Sequence, residues 1–267
     1  MRYFFHIGYN GFNYQGWQKM PNITSVQGVI ETLLSQILKT NVTIVGCGRT
    51  DTRVHASQFF FHADIATTWE YDLVFRLNKN LPNDIAIFDI IPMDGLPHAR
   101  LDAIGRTYNY FMHTHKDPFL STISSFYMGK QLNLEEMKKA VMLLPKHNDY
   151  RAFCLTPAAQ RSTRCKVTAA TLYVNEPGNN IRFEISAGRF LRGMIRIIMQ
   201  KLLLVGSGKM SVDEFENDLV SEEPLKLVRC APAQGLYLSQ VKYPFLEIPS
   251  RSELFNSLAQ ENRWKAV

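Results

Sequence analysis

The order in which the hydrophobic period changes along the first 113 residues constrains the fold most. Arg2 to Tyr9 is an aromatic-rich, alternating run that meets Asn10-Gly11, which reads as a strand closed by a turn. Gly16-Trp17-Gln18 and Pro21-Asn22 make an irregular loop. From Thr24 or Ser25 the period becomes 3.6. Val26, Val29, Ile30, Leu33, Leu34, Ile37 and Leu38 share a helical face, and Thr24 with Gln27 fits a capping box. A strand from Val42 to Cys47, a polar connection and a strand from Gln58 to Asp64 follow. A helical stretch from about Tyr71 to Lys79 stops at Asn80-Leu81-Pro82-Asn83, and strand-like runs cover Asp84 to Pro92 and Ala103 to His113. This β-α-β-β-α-β order, with a further long strand, is the split βαβ order of ferredoxin-like folds.

The second half repeats the plan without a detectable sequence repeat. Asn133 caps a helix with Glu136 at its third position, running to Leu144, and strands are expected at Val167 to Asn175 and Ile181 to Ser186. A long apolar helix spans about Phe190 to Val205 and ends at Gly206-Ser207-Gly208. Ser211 and Glu214 open a short helix, and Gly235 to Tyr243 reads as a closing strand. The expectation is an α+β protein of two fused halves, each an antiparallel sheet with helices on one face. They divide as 1–103 and 104–243, followed by a polar, weakly patterned stretch, 244–267, as a tail or a terminal surface helix. A chain of 267 residues suits one large domain or two fused ones.

Several classes are excluded by composition. A hydrophobic fraction of 46% supports a folded globule, yet no run reaches the roughly 18 apolar residues of a spanning helix, so no membrane association is expected. Met1-Arg2-Tyr3-Phe4-Phe5 lacks a signal-peptide core, which points to a cytoplasmic protein. Cys47, Cys154, Cys165 and Cys230 contain no C-x-x-C pair, against a zinc site or a disulfide framework, and read as reduced packing residues. The net charge of +6 is mild, but Arg49, Arg53, Arg100, Arg106, Arg161, Arg164, Arg189, Arg192 and Arg196 sit mainly in loops or beside aromatic and small residues. Arginines so placed are either phosphate ligands or solvated surface charges.

Within the polar connection, Gly48-Arg49-Thr50-Asp51-Thr52-Arg53-Val54-His55-Ala56 places one carboxylate between two arginines. Rigid strands on either side make Asp51 a candidate nucleophile, and the flanking charges favour its ionised form. The alternative is an acid that caps a turn and pairs with its neighbour. On the long helix Arg192 and Arg196 are one turn apart, so they either snorkel to solvent or line a polar cleft. His113 and His115 alternate at a strand end and could share a metal, but no third ligand lies nearby, so no metal site is assigned.

These residues fall into motifs that resemble the tRNA pseudouridine synthase A family, from about Tyr3 to Tyr243. Tyr9-Asn10-Gly11, Gly16-Trp17-Gln18 and Ser25-Val26-Gln27 are similar to its Y-D-G, G-W-Q and S-V-Q, and Gly48 to Ala56 to its G-R-T-D-A-G-V-H-A. Asn78 to Pro82, His98-Ala99-Arg100, Arg106 to Tyr110, Phe190 to Arg196 and Ala231 to Leu238 match N-x-N-L-P, H-A-R, R-x-Y-x-Y, F-L-R-x-M-V-R and A-P-A-x-G-L-Y-L. The resemblance implies a pseudouridine synthase fold with two ferredoxin-like (RRM-like) halves, mixed and largely antiparallel sheets, and a central active-site cleft. It further implies cofactor-free isomerisation of uridine to pseudouridine at positions 38 to 40 of the tRNA anticodon stem-loop, by a homodimer in which one tRNA contacts both subunits. Asp51 takes the place of the catalytic aspartate, by bonding to the nucleotide or by taking a ribose proton. Arg49 would orient it or fill the space of the extruded base, Tyr108 would stack on the uracil, Arg196 would lie near the carboxylate, and Leu236 would pack on the base. Arg100, Arg106, Arg161 and Arg164 would bind RNA phosphates, and His55, neutral, would hold the loop by hydrogen bonds.

Three positions depart from the pattern: Thr52-Arg53 in place of Ala-Gly, Leu101 in place of an aromatic residue, and Met199-Gln200 in place of Val-Gly. None removes a catalytic group, but the first puts bulk and charge beside Asp51. Arg53 is therefore read as an added phosphate contact. The competing readings are a divergent pseudouridine synthase acting at another RNA site and a non-catalytic RNA-binding protein or tRNA chaperone. The second is disfavoured because simple binding needs no acid between two arginines.

Overall fold

The computed structural model describes residues 1–129, 131–221, 229–251 and 264–267. In chain order the regular elements are β1 (Arg2–Tyr9), α1 (Val26–Leu38), β2 (Ile44–Gly46), β3 (His55–Asp64), α2 (Leu73–Asn80), β4 (Ile85–Pro92), β5 (Gly105–His113), β6 (Ser125–Phe126), α3 (Leu134–Leu143), β7 (Val167–Val174), β8 (Asn180–Ala187), α4 (Met194–Gly206), α5 (Val212–Val220), β9 (Leu236–Lys242) and β10 (Lys265–Ala266). The chain is α+β and its strand pairs are mostly antiparallel. Two compact units divide it, Met1–Ile104 with the described chain from Tyr237 to Arg251, and Gly105–Leu236 with residues 264–267.

In the first unit the spatial order is β4-β1-β3-β2, all antiparallel, which is the ferredoxin-like order expected from the alternating periods. The same edge of β3 that carries β2 at one end carries β9 at the other, in parallel, through His55 opposite Tyr237 and Ala56 opposite Leu238. The strand expected to close the second half therefore packs from Tyr237 onward with the first unit.

Aromatic side chains fill both faces of this sheet. Phe5 stacks on Phe61 at 4.6 Å and Trp17 packs tilted against Phe59 at 4.1 Å, while on the other face Phe4 and Phe60 each meet Tyr243 at 5.5 Å. The described start of the final stretch is thus not a loose tail. Tyr243 and Phe245 cover the second face, and Gln58 holds Val241 N–H and Ile248 C=O through its amide. The physical reason is the run Phe59-Phe60-Phe61, which is buried on both sides of the sheet. The terminal helix expected in 244–267 falls largely on 252–263, outside the described residues, and residues 265–266 form an edge strand against Val174 and Tyr173.

The second unit has spatial order β5-β8-β7, again antiparallel, with β10 beyond β7 and β6 parallel to the end of β5. α3 packs on α4, α5 and β7, and its Asn133 cap accepts the Glu136 N–H as expected. Ser211 and Glu214 complete a capping box on α5.

Two local expectations fail. The α1 cap is Ser25, which accepts the Gly28 N–H, while Gln27 is turned to Glu31 and the Ile44 carbonyl, so Thr24 and Gln27 form no capping box. α4 begins at Met194, not Phe190, because Gly193 adopts φ +74° and holds the chain in a left-handed turn before the helix. Arg192 consequently precedes the helix and shares no helical face with Arg196.

Candidate active site

Asp51 sits at the first position of a tight turn on the connection between β2 and β3, where the Val54 N–H donates to the Asp51 carbonyl at 3.1 Å. The rest of the first unit is built to hold that turn. Trp17 N–H donates to Thr50 C=O at 3.2 Å, Arg53 N–H to Tyr14 C=O at 3.1 Å, and the hydroxyls of Tyr9 and Thr50 hydrogen-bond each other at 2.9 Å. The Gly11 N–H donates to Nδ1 of buried His55 at 3.0 Å, so that nitrogen carries no proton, and the imidazole stacks on Tyr237 at 4.5 Å. Side chains at two glycines would collide with the turn. A Cβ on Gly11 would lie 1.9 Å from the Val54 carbonyl oxygen, and one on Gly16 (φ +94°) 2.5 Å from that of Thr50. The separate motifs Y-N-G, G-W-Q and the Asp51 run are thus one packing unit.

On this turn Asp51 is half-buried, and Arg49, Thr52 and Arg53 are exposed. Arg53 has φ +64° and lays its guanidinium over the Phe12 ring, 5.0 Å from the centroid. Arg100 belongs to a different connection of the same unit, a knot round His98. His98 Nδ1 accepts the N–H groups of Arg100 and Leu101, His62 Nδ1 accepts that of Ala99, and Asp102 accepts that of His98. The histidine of the H-A-R element is therefore structural. Burial, aided by Arg2, pushes His62 down to about 4, so it is neutral at physiological pH.

In the second unit Arg106 and Tyr108 alternate on β5 and share one of its faces. Arg106 donates to the Gly188 carbonyl at 2.9 Å, and half-buried Tyr108 meets Phe190 edge-on at 5.0 Å. Tyr110, next on that face, is buried, and its hydroxyl donates to the Pro232 carbonyl at 2.8 Å. Arg196, in the first turn of α4, does not snorkel. Its Nε donates to the Ala231 carbonyl at 2.8 Å, and the Ala231 N–H donates back to its carbonyl. Arg196 and Tyr110 together thus hold the Ala231-Pro232 segment that leads to Leu236, which is buried. Arg161 and Arg164 are exposed on the connection leading to β7. The sequence assigned no individual role to Phe12 or Phe190; Phe190 was legible as part of F-L-R, Phe12 only as the residue after Asn10-Gly11.

His113 hydrogen-bonds Ser124 and stacks on Phe126, and among the described residues no group of three or more His, Cys, Asp and Glu is placed to hold a metal. Nor is any described helix long and apolar enough to cross a membrane. Cys47, Cys154 and Cys165 are buried, and burial pushes the Cys165 thiol up to about 11.

The mostly antiparallel α+β fold is consistent with that of the isomerases that make pseudouridine, and residues 140–244 match the family described as tRNA pseudouridine synthase. Proteins called tRNA pseudouridine synthase A are similar along nearly the whole chain. That of Porphyromonas gingivalis is 38% identical over 91% of this chain and 97% of its own length, that of Parabacteroides distasonis 39% over 91% and 96%, and that of Ruminiclostridium cellulolyticum 36% over 89% and 97%. The chain belongs to the tRNA pseudouridine synthase A family.

Proposed function

We propose that the protein isomerises uridine to pseudouridine in the anticodon stem-loop of tRNA, at positions 38 to 40, with Asp51 as the catalytic carboxylate. The observation that carries this reading is the Asp51 turn, a half-buried acid pinned by hydrogen bonds and close glycine contacts between two exposed arginines. The reaction breaks the bond from N1 to C1′ of the ribose and makes one from C5 to C1′, while C5 loses a proton and N1 gains one. Nothing is oxidised and nothing is added, so side chains suffice and no cofactor is required. Asp51 acts either by bonding to the nucleotide while the base is detached or by taking a ribose proton.

Arg49 orients Asp51 or occupies the space of the extruded base. Tyr108 stacks on the uracil, with its hydroxyl near the proton lost from C5, Leu236 packs on the base, and Arg196 is carried over from the family as a substrate-binding arginine. Extrusion costs about a few kcal/mol, offset by stacking and by phosphate contacts from Arg53, Arg100, Arg106, Arg161 and Arg164. We place the reaction in the cytoplasm, on a homodimer that binds one tRNA across both subunits.

Incubation with unmodified tRNA transcripts, followed by mapping of pseudouridine, tests the reading. The expected product lies at positions 38 to 40 and disappears in Asp51→Asn, which still binds tRNA. Product at other uridines would replace the proposed target site, and tight binding without product would replace the enzyme by an RNA-binding protein or chaperone.

A further inference from the structure

Arg53 breaks a local rule beside the reactive carboxylate. A left-handed φ is disfavoured for a non-glycine residue because Cβ crowds the following carbonyl oxygen. Asn22 and Lys39 are the other described non-glycine residues with positive φ, and Lys39 is a helix C-cap, a usual place for that conformation. The Arg53 turn is held by its backbone N–H and has no need of a side chain, so the strain is tolerated for what the side chain does. That side chain is prearranged. Phe12 is fixed in a short helical turn, Gly11–Asn13, by its N–H donating to Asn10 Oδ1 at 3.1 Å, and the neighbouring Gly11 N–H is tied to His55. The guanidinium rests on the Phe12 ring, and among the described residues it makes no ion pair or side-chain hydrogen bond. Arg53 remains exposed and Phe12 half-exposed, two and thirty-nine positions from Asp51 in sequence but on the same packed turn.

We propose that Phe12 and Arg53 form a stacking platform for the nucleobase adjacent to the target uridine. The inference rests on the isomerase reading of the Asp51 site. Extruding the target base strips its neighbour of one stacking partner, and a planar group waiting there restores that stacking. Arginine suits this because its guanidinium is planar, and stacking on Phe12 orders it before RNA arrives. The N–H groups at its edge stay available to phosphate, so face and charge act separately. The platform thereby makes the enzyme sensitive to the presence of a base beside the target.

The test uses the full-length protein and anticodon stem-loop RNAs in which the nucleotide on one or the other side of the modified uridine is abasic. Rates of pseudouridine formation are read for wild type, Phe12→Ala, Phe12→Tyr, Arg53→Lys and Arg53→Gly. Affinities for the same RNAs are read in an Asp51→Asn background, which does not turn over. In the wild type one abasic substitution is expected to reduce kcat/KM and affinity about tenfold. Phe12→Ala and Arg53→Gly lose that discrimination, Phe12→Tyr keeps it, and Arg53→Lys loses it while retaining the salt dependence of binding. Arg53→Gly suits the observed φ and guards against misfolding. Equal discrimination by wild type, Phe12→Ala and Arg53→Gly overturns the platform, as does a wild type indifferent to both abasic sites. Failure of the wild type to form product from any tRNA counts against the isomerase reading, and the affinity ratios still decide the platform.

Discussion

Gly11 and Gly16 let two backbone segments approach the Asp51 turn more closely than any side chain allows, so the proposed catalytic turn and the packing of the first unit depend on the same contacts. Gly11→Ala drives a methyl into the Val54 carbonyl, and Gly16→Ala also adopts a disfavoured φ. Each is expected to destabilise by about 2–3 kcal/mol, read from urea unfolding, and to reduce kcat more than RNA affinity, because the displaced group is the carboxylate. His62 contributes a pH dependence. Its folded pKa of about 4 lies below the unfolded value of about 6.5, so the unfolded chain binds the proton first as the pH falls. Stability from this residue is complete above about pH 6.5, declines to about pH 4, and does not change further below. His6, lowered first by burial, acts in the same direction. Urea midpoints at pH 7.5 and 4.5 should differ less in His62→Asn than in wild type.

At the scale of elements, motif residues turn out to be fasteners. Asn78 of the N-x-N-L-P run donates to the Ile87 carbonyl at 2.7 Å and accepts the Ile87 N–H at 2.8 Å, clamping α2 to β4. Asn78→Ala should cost about 2 kcal/mol, with hydrogen exchange rising first in α2 and β4. Ser211→Ala, which removes one arm of the α5 capping box, should cost about 1 kcal/mol by the same urea assay and leave product formation unchanged. The existence and order of the longer elements were legible, since each change of period is local, whereas the two-residue strands β6 and β10 are too short to show a period. The start of α4 was not, because a glycine at φ +74° interrupts an apolar pattern that continues through it. That single turn removed Arg192 from the face it was expected to share with Arg196.

For the whole molecule, the +6 charge matters through where the arginines stand. The logarithm of the tRNA binding constant should fall linearly with the logarithm of salt concentration. Neutralising Arg106, Arg161 or Arg164 singly should lower the slope by about one each, whereas Asp51→Asn should not lower it. The alternating periods and the spaced motifs determined by themselves the ferredoxin-like order of the first unit, the family and the candidate carboxylate, because these depend on local pattern and on residue identity. Only the tertiary structure decided that β9 from Tyr237 onward joins the first unit, that Tyr243 and Phe245 cover its second face, and that Arg53 lies on Phe12. Those choices follow from which buried surfaces need covering and which backbones can approach, and residues far apart in sequence settle both.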